Sequence, residues 1–546
     1  MKAHDTLRAA LAHAAASLGA PGVDVVLERP RDPAHGDVAT NLALTLAKTL
    51  HTKPRDVAAR LVAALELPVG LVKQTAIAGP GFINFFLGEA QLADVLGAVL
   101  AAGARFGRND GGKGTKINVE FVSANPTGPL HVGHGRGAAL GDAIATLLEW
   151  TGSAVTREFY VNDAGLQIDK LARSLWARVQ QHVGRSADVP DGGYHGEYVQ
   201  ELAEAILVRE GKGFADLPAD EGLQRCRTIA VQSQRAEQDA DLREFGVKFD
   251  VVSSESELFT ARLIETTLAD LAARGHTFEQ DGALWLRTTA FGDDKDRVLR
   301  KSDGTYTYLL PDIAYHRAKH ERGFGAAIDI WGADHHGYVP RMRAAMQALG
   351  YPADFFQPVI VQLVRVVRGG EEVRFSKRAG NFVTLRDLFQ ETGVDAARYF
   401  FLMKRADSQF VFDVDLAKSQ TDENPVFYVQ MAHARMSGIF RVAARPPESV
   451  SADGVDLAAL IQPEELDLLK ALAEFPAQVA RAAQAHEPHR ITGYLEGLAR
   501  VAHAWYHKYR VLGEPQEGAR LVLARAVRQV LANGLALLGL RAPDRM

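Results

Sequence analysis

The chain has 546 residues, too many for a single hydrophobic core, so its length predicts about three or four domains. Its single cysteine, Cys226, excludes a disulfide framework and a cysteine-based zinc site, and without any long apolar run we expect a cytosolic protein with no transmembrane helix. A formal net charge of −5 argues against indiscriminate nucleic-acid binding but leaves room for a local basic face.

Residues 1–108 are predicted to form a small α/β domain. Their first segment is apolar enough to suggest a signal peptide, but charged residues interrupt it, so an amphipathic helix is the better interpretation. Helices are predicted over 41–50 and from Pro54, and strands over 74–78 and 82–87. A glycine-rich linker over 107–114 marks the clearest domain boundary.

Strands alternate with helices from residue 114 to about 392, a pattern that predicts a mostly parallel sheet. The candidate strands cover 117–121, 155–161, 326–331 and 358–367. The stretch between the second and third strands, about 162–315, is too long for a loop, so we predict a subdomain inserted into the sheet. It is expected to contain helices over 168–183, 198–210 and 223–245 and a strand pair near 277–289.

Residues 393–546 are predicted to be all-helical, because apolar residues recur there at helical spacing. The predicted helices cover 397–403, 425–442, 464–484, 491–509 and 519–537. From Val426 onward, 14 Lys and Arg stand against 12 Asp and Glu, so this part is mildly basic in an acidic protein.

The strongest functional signal is the stretch NPTGPLHVGHG, which begins at Asn125 and includes His131 and His134. It lies where a predicted strand gives way to a long predicted helix. Two histidines on the first turn of a helix can hydrogen-bond phosphate, and the helix N-terminus itself favours an anion. The same spacing can hold a metal, but no third ligand is supplied nearby, and a solvated helix start is the unremarkable alternative. Gly133 and Gly135 are expected to let a ligand approach the backbone.

Two further polar clusters follow predicted strands. The string RFSKRAGN, from Arg374, places cations and a serine beside glycine, in a loop suited to clamping a polyphosphate. The string WGADHH, from Trp331, lies just past a strand end, where an acid often binds ribose hydroxyls. Either string alone is more often a solvated surface, but polar clusters at three separate strand ends favour a nucleotide site.

Together these residues resemble the class I aminoacyl-tRNA synthetases, since HVGH is similar to their "HIGH" signature and RFSKR stands where their "KMSKS" loop is expected. Longer strings resemble the bacterial-type arginyl-tRNA synthetases: FVSANPTGPLHVGH, YVNDAG, YHGEY, WGADHH, DAAR and QTDENPVFYVQMAHAR. The segments GD at 36–37 and GPGFIN at 79–84 resemble the extra N-terminal domain of that family. The resemblance covers essentially the whole chain.

The resemblance implies a multidomain α/β protein with a Rossmann-like catalytic core over 114–392, a tRNA-binding accessory domain over 1–108 and a helical anticodon-binding domain over 393–546. It implies that L-arginine and ATP react to arginyl-adenylate and pyrophosphate, and that arginine is then transferred to the 3′-terminal ribose of tRNA(Arg). Magnesium is expected to arrive with ATP, without a tightly bound protein-ligated metal. We also expect a monomer. A synthetase for another amino acid and a catalytically silent RNA-binding relative remain alternatives.

The resemblance also implies roles for the signature residues. His131 and His134 are expected to stabilise charge on the α-phosphate, and Lys377 to neutralise the leaving pyrophosphate. Arg374 replaces the first signature lysine, which keeps the charge but changes the hydrogen-bond geometry. The residues expected to bind ATP are Pro129, Gly133, Gly135, Gly332, Asp334, His335 and Ser376.

A guanidinium ion is planar with five donors and favours carboxylates in bidentate geometry. The resemblance implies an arginine-site tyrosine and aspartate at Tyr308 and Asp312, and with them the residues expected to bind arginine are Glu120, Asn125 and His336. For Glu120, an exposed acid at a strand end is an equally good interpretation of the sequence. The residues expected to contact tRNA are Tyr428, Arg435, Trp505, Lys508 and Tyr509, although an aromatic residue at helical spacing more often belongs to a core.

Overall fold

The computed structural model describes residues 2–28, 30, 32, 35–163, 165–373 and 383–546. The N-terminal domain consists of α1 (Lys2–Ser17), β1 (Val38–Thr40), α2 (Leu42–Thr49), α3 (Pro54–Ala63), β2 (Val72–Ala78), β3 (Phe82–Leu87) and α4 (Glu89–Ala102). The strands form an antiparallel sheet in the order β1-β3-β2. The predicted hairpin is confirmed, whereas β1 is too short to show a pattern in the sequence.

Among the described residues, the central part of the chain contains nineteen α-helices and strands. In order they are β4 (Lys116–Glu120), α5 (Val132–Trp150), β5 (Ala154–Val161), α6 (Leu166–His182), α7 (Glu197–Glu210), α8 (Ala219–Glu244), β6 (Val251–Ser254), α9 (Glu255–Thr260), α10 (Leu263–Ala273), β7 (Thr277–Gln280), β8 (Ala283–Leu286), β9 (Arg297–Arg300), α11 (Leu309–Glu321), β10 (Ala326–Gly332), α12 (Val339–Ala348), β11 (Phe356–Val361), β12 (Val364–Arg368), β13 (Glu371–Glu372) and α13 (Leu385–Thr392).

Five of these strands form the parallel sheet that the sequence predicts, in the spatial order β11-β10-β4-β5-β6. From β4 the chain proceeds to β5 and β6 on one side, and later returns to place β10 and β11 on the other side. The pair β4–β10 is therefore the topological switch point, where open α/β sheets bind their ligands at the carboxyl ends of the strands. Glu120 on β4 and Asp329 on β10 are register partners near that edge.

Two parts of the strand prediction were wrong. The segment 162–315 is not wholly outside the sheet, because it contains β6, a four-residue edge strand with two serines that gives no apolar signal. It therefore holds two insertions: α6–α8 before β6, and after it the antiparallel sheet β7-β8-β9, one strand more than predicted. The apolar run 358–367 is two strands that belong to different sheets, because the chain leaves the strand conformation at 362–363.

The C-terminal part contains α14 (Val394–Leu402), β14 (Phe410–Asp413), α15 (Val414–Lys418), α16 (Pro425–Val442), α17 (Pro463–Ala485), α18 (His489–Lys508) and α19 (Glu517–Leu537). The predicted helices are confirmed within a few residues, but β14 corrects the all-helical prediction. It pairs in parallel with β12, in a small sheet of the order β13-β12-β14 that joins this part to the core.

Buried polar contacts connect the domains. Arg398 on α14 is fully buried and donates to the carboxylate of Asp142 on α5 at 2.6 Å and to the Phe245 carbonyl at 3.0 Å. At the other side of the helical domain, Lys470 forms an ion pair of 2.7 Å with Asp37 of the N-terminal domain. The C-terminal helices are thus joined to α5 on one side and to the N-terminal domain on the other.

Candidate active site

The first turn of α5 is built by two interlocked histidines. His131 is the N-cap residue, and its Nδ1 accepts a hydrogen bond of 3.2 Å from the His134 backbone N–H. The Nδ1 of His134 accepts one of 3.3 Å from the His131 backbone N–H, and the two rings stack with centroids 3.6 Å apart. This is a capping box made from histidines. Because both Nδ1 atoms accept, each neutral ring carries its proton on Nε2 and offers an N–H donor there.

Burial keeps this histidine pair uncharged at neutral pH. It lowers the pKa of His131, against a smaller opposing effect of the backbone hydrogen bond. Burial and, to a lesser degree, the neighbouring His131 lower the pKa of His134 to about 3. Two neutral N–H donors therefore lie beside the positive end of the α5 dipole, an arrangement that suits phosphate oxygens.

The glycines of the HVGH stretch serve packing. A Cβ on Gly133 would lie 2.8 Å from Cε1 of His131, so glycine is required for the rings to stack. A Cβ on Gly135 would lie 2.5 Å from the Leu385 side chain. The expectation that Gly135 admits a ligand to the backbone is wrong, because the residue is buried against that leucine.

A strained turn leads the chain from β4 to the histidines. Val122 and Ser123 both have positive φ, 69° and 39°, which is unusual for any residue with a side chain and most of all for valine. The Ser123 hydroxyl fixes the turn by donating to Glu120 at 2.8 Å and accepting from the Tyr160 backbone N–H at 3.1 Å. The two strained residues thus lie just after the end of β4, beside the switch point and Glu120.

A cavity of about 550 Å³ opens in front of the histidine pair. One wall is the stretch that carries His131 and His134, and the other comes from the segment α6–α8. Its lining residues are Asn125, Thr127, Gly128, Pro129, His131, His134, Gln167, Gly193, Tyr194, His195, Gly196, Tyr198 and Gln238. Sequence reasoning gave no role to the residues from α6–α8, because only the YHGEY string among them stands out, and it carries no chemistry by itself.

A second polar region surrounds Tyr160 near the ends of β4, β5 and β6. Burial raises the pKa of Tyr160 well above its usual range, and four nearby carboxylates, those of Glu255, Asp312, Glu120 and Asp163, raise it further. Burial also raises the pKa of Asp312, whose Oδ2 accepts from the Tyr338 hydroxyl at 2.7 Å. Because carboxylates this close repel one another, a cation bound among them would be stabilised.

Glu120 is not the exposed strand-end acid that was the alternative interpretation, since it is only 7% exposed. Its Oε2 accepts from Lys319 at 2.6 Å, and the same ammonium group donates to Asp329 at 2.9 Å. His316 contacts the other oxygen of Asp329 at 2.6 Å. Sequence reasoning missed Lys319 and His316, which lie within α11 and belong to no motif.

The remaining residues predicted for arginine are more scattered. Asn125 lines the histidine cavity and donates to Gln167 at 2.6 Å. Tyr308 immediately precedes α11 and is 82% exposed. His336 lies exposed in the turn after β10, where it lines another cavity. Only Glu120 and Asp312 lie together in the acidic region.

The polar turn after β10 lies at the same edge of the sheet, beside the switch point. Asp334 and His335 are exposed, and Oδ2 of Asp334 lies 3.4 Å from Nε2 of His335. A Cβ on Gly332 would lie 2.6 Å from Asp334 Oδ1, so glycine leaves room for that carboxylate.

The predicted phosphate-clamping residues Arg374, Ser376 and Lys377 lie outside the described residues. The segment that follows them is tied to the histidine stretch on both sides of His131. The Val132 N–H donates to the Val383 carbonyl at 3.2 Å, and the Leu385 N–H donates to the Leu130 carbonyl at 2.7 Å. Those bonds place residue 383 beside the first turn of α5.

Two of the residues predicted to contact tRNA, Arg435 and Tyr428, are partly exposed. Arg435 on α16 donates to Nδ1 of His503 at 2.7 Å and to Nε2 of His507 at 3.0 Å, and its guanidinium lies 5.8 Å from the Tyr506 ring. The half-buried Tyr428 packs against His503, with ring centroids 4.4 Å apart and ring planes inclined by 52°. Sequence reasoning did not single out these two histidines.

The prediction for Trp505 was wrong. Its side chain is 0% exposed in the core between the C-terminal helices, so it cannot stack on a base. Lys508 and Tyr509 form a separate group in which both donate to the Glu464 carboxylate, at 2.8 Å and 2.7 Å.

Within the described ranges, no group of three or more His, Cys, Asp or Glu side chains is arranged to hold a metal ion. The helices described there include none that is both long and apolar enough to cross a membrane.

Three family models together match nearly the whole chain. The model described as "tRNA synthetases class I (R), catalytic domain" matches residues 96–437. The model "Arginyl tRNA synthetase N terminal domain" matches residues 2–87, and "DALR anticodon binding domain" matches residues 429–546.

Individual proteins agree with these matches. The chain is 51% identical over 535 residues to the arginine–tRNA ligase of Geobacter metallireducens, covering 96% of this chain and 95% of that protein. It is 46% identical over 526 residues to the arginine–tRNA ligase of Oceanobacillus iheyensis, covering 96% and 94%. The solved structure of Thermus thermophilus arginyl-tRNA synthetase superposes with a TM-score of 0.76 at 26% identity, covering 99% of this chain and all (100%) of that one.

Proposed function

Since the chain belongs to the arginyl-tRNA synthetase family, we infer that it is an arginine–tRNA ligase. In the first step a carboxylate oxygen of L-arginine attacks the α-phosphorus of ATP, the bond from that phosphorus to the bridging oxygen breaks, and pyrophosphate leaves with the electron pair. In the second step a hydroxyl of the 3′-terminal ribose of tRNA(Arg) attacks the arginyl carbonyl carbon, and AMP and the hydroxyl proton leave.

The observation that carries the proposal is the neutral histidine pair at the switch point of the sheet. His131 and His134 each offer an Nε2–H donor beside the N-terminus of α5, where charge develops on the α-phosphate. Donors fixed before the reaction need no reorganisation as the pentacoordinate phosphorus forms. In this proposal Pro129 and Gly133 border the phosphates, and Gly332, Asp334 and His335 face the nucleoside.

The acidic region around Tyr160 is the proposed arginine site. Asp312 and Glu120 supply carboxylates for the guanidinium group, and Asn125 holds the α-amino or carboxylate end. Tyr308 and His336 are assigned to the rim, because both are exposed. Lysine presents a point charge without the guanidinium fork, so it would leave buried acceptors unpaired and be rejected.

Lys377, Arg374 and Ser376 are proposed from the family resemblance to bind the β- and γ-phosphates of the magnesium–ATP substrate. The hydrogen bonds of Val383 and Leu385 to the histidine stretch support this, because they hold residues 383 and 385 beside the proposed phosphate donors.

We assign anticodon recognition to residues 393–546 and a further tRNA contact to residues 1–108. The cluster around Arg435, with Tyr428 nearby, supports the first assignment, since Arg435 and Tyr506 can contact phosphate and base. Lys508 and Tyr509 form a second proposed contact. The monomeric state and the cytosolic location remain predictions.

The test is ATP–pyrophosphate exchange with each of the standard amino acids, in the presence of tRNA. We expect exchange with arginine alone. Exchange with a different amino acid and none with arginine would identify a synthetase of other specificity. No exchange with any amino acid, together with retained tRNA binding, would identify a silent RNA-binding protein.

A further inference from the structure

The turn formed by residues 125–128, just before the histidine pair, is held by side chains from three helices of one segment. We call residues 162–250, which contain α6, α7 and α8, the helical insertion. Each of its three long helices sends one side chain to this turn, although the turn itself belongs to the connection after β4. Such convergence indicates that the conformation of the turn depends on the insertion.

Gln238 on α8 makes the central contact. Its amide group donates two hydrogen bonds, to the Asn125 carbonyl at 3.0 Å and to the Gly128 carbonyl at 2.9 Å. The residue is 1% exposed, and within the described part of the chain its Oε1 has no hydrogen-bond partner. Burying an oxygen without a hydrogen-bond partner costs free energy. The favourable contribution of the Gln238 side chain therefore comes from the two hydrogen bonds that its amide group donates.

The other two helices add one contact each. The Tyr198 hydroxyl on α7 donates to the Thr127 carbonyl at 2.8 Å, and a Cβ on Gly128 would lie 3.2 Å from that hydroxyl. Gln167 on α6 accepts from the Asn125 side-chain amide at 2.6 Å. The backbone carbonyls of the turn are therefore fixed in direction immediately before Pro129.

The helix α8 also contacts the chain on the other side of the histidines. Asp241, one turn after Gln238, forms an ion pair with Arg386 on α13. Arg386 follows Leu385, whose N–H binds the Leu130 carbonyl at 2.7 Å. One helix of the insertion thus holds both backbone segments that flank the first turn of α5.

The charge of the insertion argues against its serving mainly as an RNA-binding surface. It carries 11 Lys and Arg against 16 Asp and Glu, which opposes contact with phosphates. Its contacts with the turn support a structural role for it at the cavity.

We propose that the helical insertion positions the nucleotide site, and that Gln238 is its principal positioning residue, acting through the turn 125–128 on His131 and His134. The proposal rests on the proposed function, since the assay measures arginine activation. Displacement of reacting groups by about 1 Å costs roughly 100-fold in rate, so loss of this support should lower catalysis more than stability.

The experiment compares Gln238→Leu with Gln234→Leu in the full-length protein. Gln234 is one turn earlier on α8 and 2% exposed, but no hydrogen bond joins it to the described residues 125–128, so it is a matched control. We expect kcat/KM for ATP in the exchange reaction to fall about 10- to 100-fold in Gln238→Leu and to stay at the wild-type value in Gln234→Leu. The two variants should have similar Tm values.

Gln238→Glu gives a readout that a packing role would not produce. An ionised carboxylate repels both carbonyls, whereas the protonated form can donate to one of them, so activity relative to wild type should rise as the pH falls from about 8 to about 6.

Equal kcat/KM in the two leucine variants would overturn the proposal. If Gln238→Leu does not fold, Tyr198→Phe replaces it in the comparison. An unchanged kcat/KM for ATP in Tyr198→Phe would then overturn the proposal. Wild-type exchange with another amino acid instead of arginine would refute the proposed function and leave the positioning test intact.

Discussion

The imidazole rings of His131 and His134 stack 3.6 Å apart, and each accepts a hydrogen bond from the other residue's backbone N–H. The cap of α5 and the proposed phosphate donors are therefore the same two side chains. Replacing one of them affects helix capping and catalysis together, unless the new side chain can still accept the capping bond.

His134→Asn separates the two roles, because asparagine can accept from the His131 N–H but has no donor at the position of Nε2. We expect kcat of ATP–pyrophosphate exchange to fall about 100- to 1,000-fold, as for the loss of one oxyanion donor, with little change in Tm. His182→Ala, at the exposed end of α6, should be unaffected. Full activity in His134→Asn would remove His134 from the mechanism.

Stability should depend on pH through the same histidine. The pKa of His134 is about 3 in the folded protein, against 6.5 for an ordinary histidine. Between these values the unfolded chain binds a proton that the folded chain does not, so the free energy of unfolding falls as the pH drops below 6.5, by at most about 1.4 kcal/mol per pH unit. Urea unfolding at pH values of about 7 and 5 should show a smaller loss in His134→Asn than in wild type. Equal losses would contradict the buried, neutral state.

Asp312→Asn should impair arginine binding selectively. Hydrogen bonds to charged groups contribute about 1.5–3 kcal/mol, so we expect KM for arginine to rise about 10- to 100-fold while KM for ATP stays constant. Asp281→Asn makes the same change at an exposed turn outside the site and should leave both constants unchanged. A rise in KM for ATP alone would move Asp312 from the arginine site to the nucleotide site.

Lys319→Met should destabilise the core of the sheet. The ammonium group is 0% exposed and bridges Glu120 and Asp329, so its removal leaves two buried carboxylates without their cation. Breaking a buried ion pair costs about 3–5 kcal/mol, which chemical denaturation can measure. Lys212→Met, on an exposed residue, provides the control. An unchanged stability would mean that Glu120 and Asp329 take up protons when Lys319 is lost.

The sequence predicted the parts of the site that follow strand ends, and missed those inside helices. His131, Asp334 and Glu120 were recognisable because parallel strands bring their carboxyl ends to one edge. Lys319 lies in the last turn of α11 and Gln238 within α8, and nothing in the local sequence pattern indicates which buried groups these side chains contact. Trp505 was wrongly predicted for the same reason. Helical spacing places an aromatic residue on one face of a helix, but it does not indicate whether another helix packs against that face.

Arg435→Gln should weaken tRNA binding through the loss of one phosphate contact. Among the described residues, the side chains that bind its guanidinium are His503 and His507, and no carboxylate pairs with it. Burial lowers the pKa of His503, whose Nε2 donates to the Tyr428 carbonyl at 3.0 Å. This histidine is therefore a neutral acceptor for Arg435 and does not cancel the positive charge of its guanidinium group. We expect KM for tRNA to rise in aminoacylation, and the slope of log affinity against log salt concentration to decrease by about 0.7–0.9. Arg274→Gln, on an arginine that already pairs with Asp270 at 2.8 Å, should change neither value. A salt slope equal to that of wild type would show that Arg435 supports the fold of this surface and does not contact phosphate.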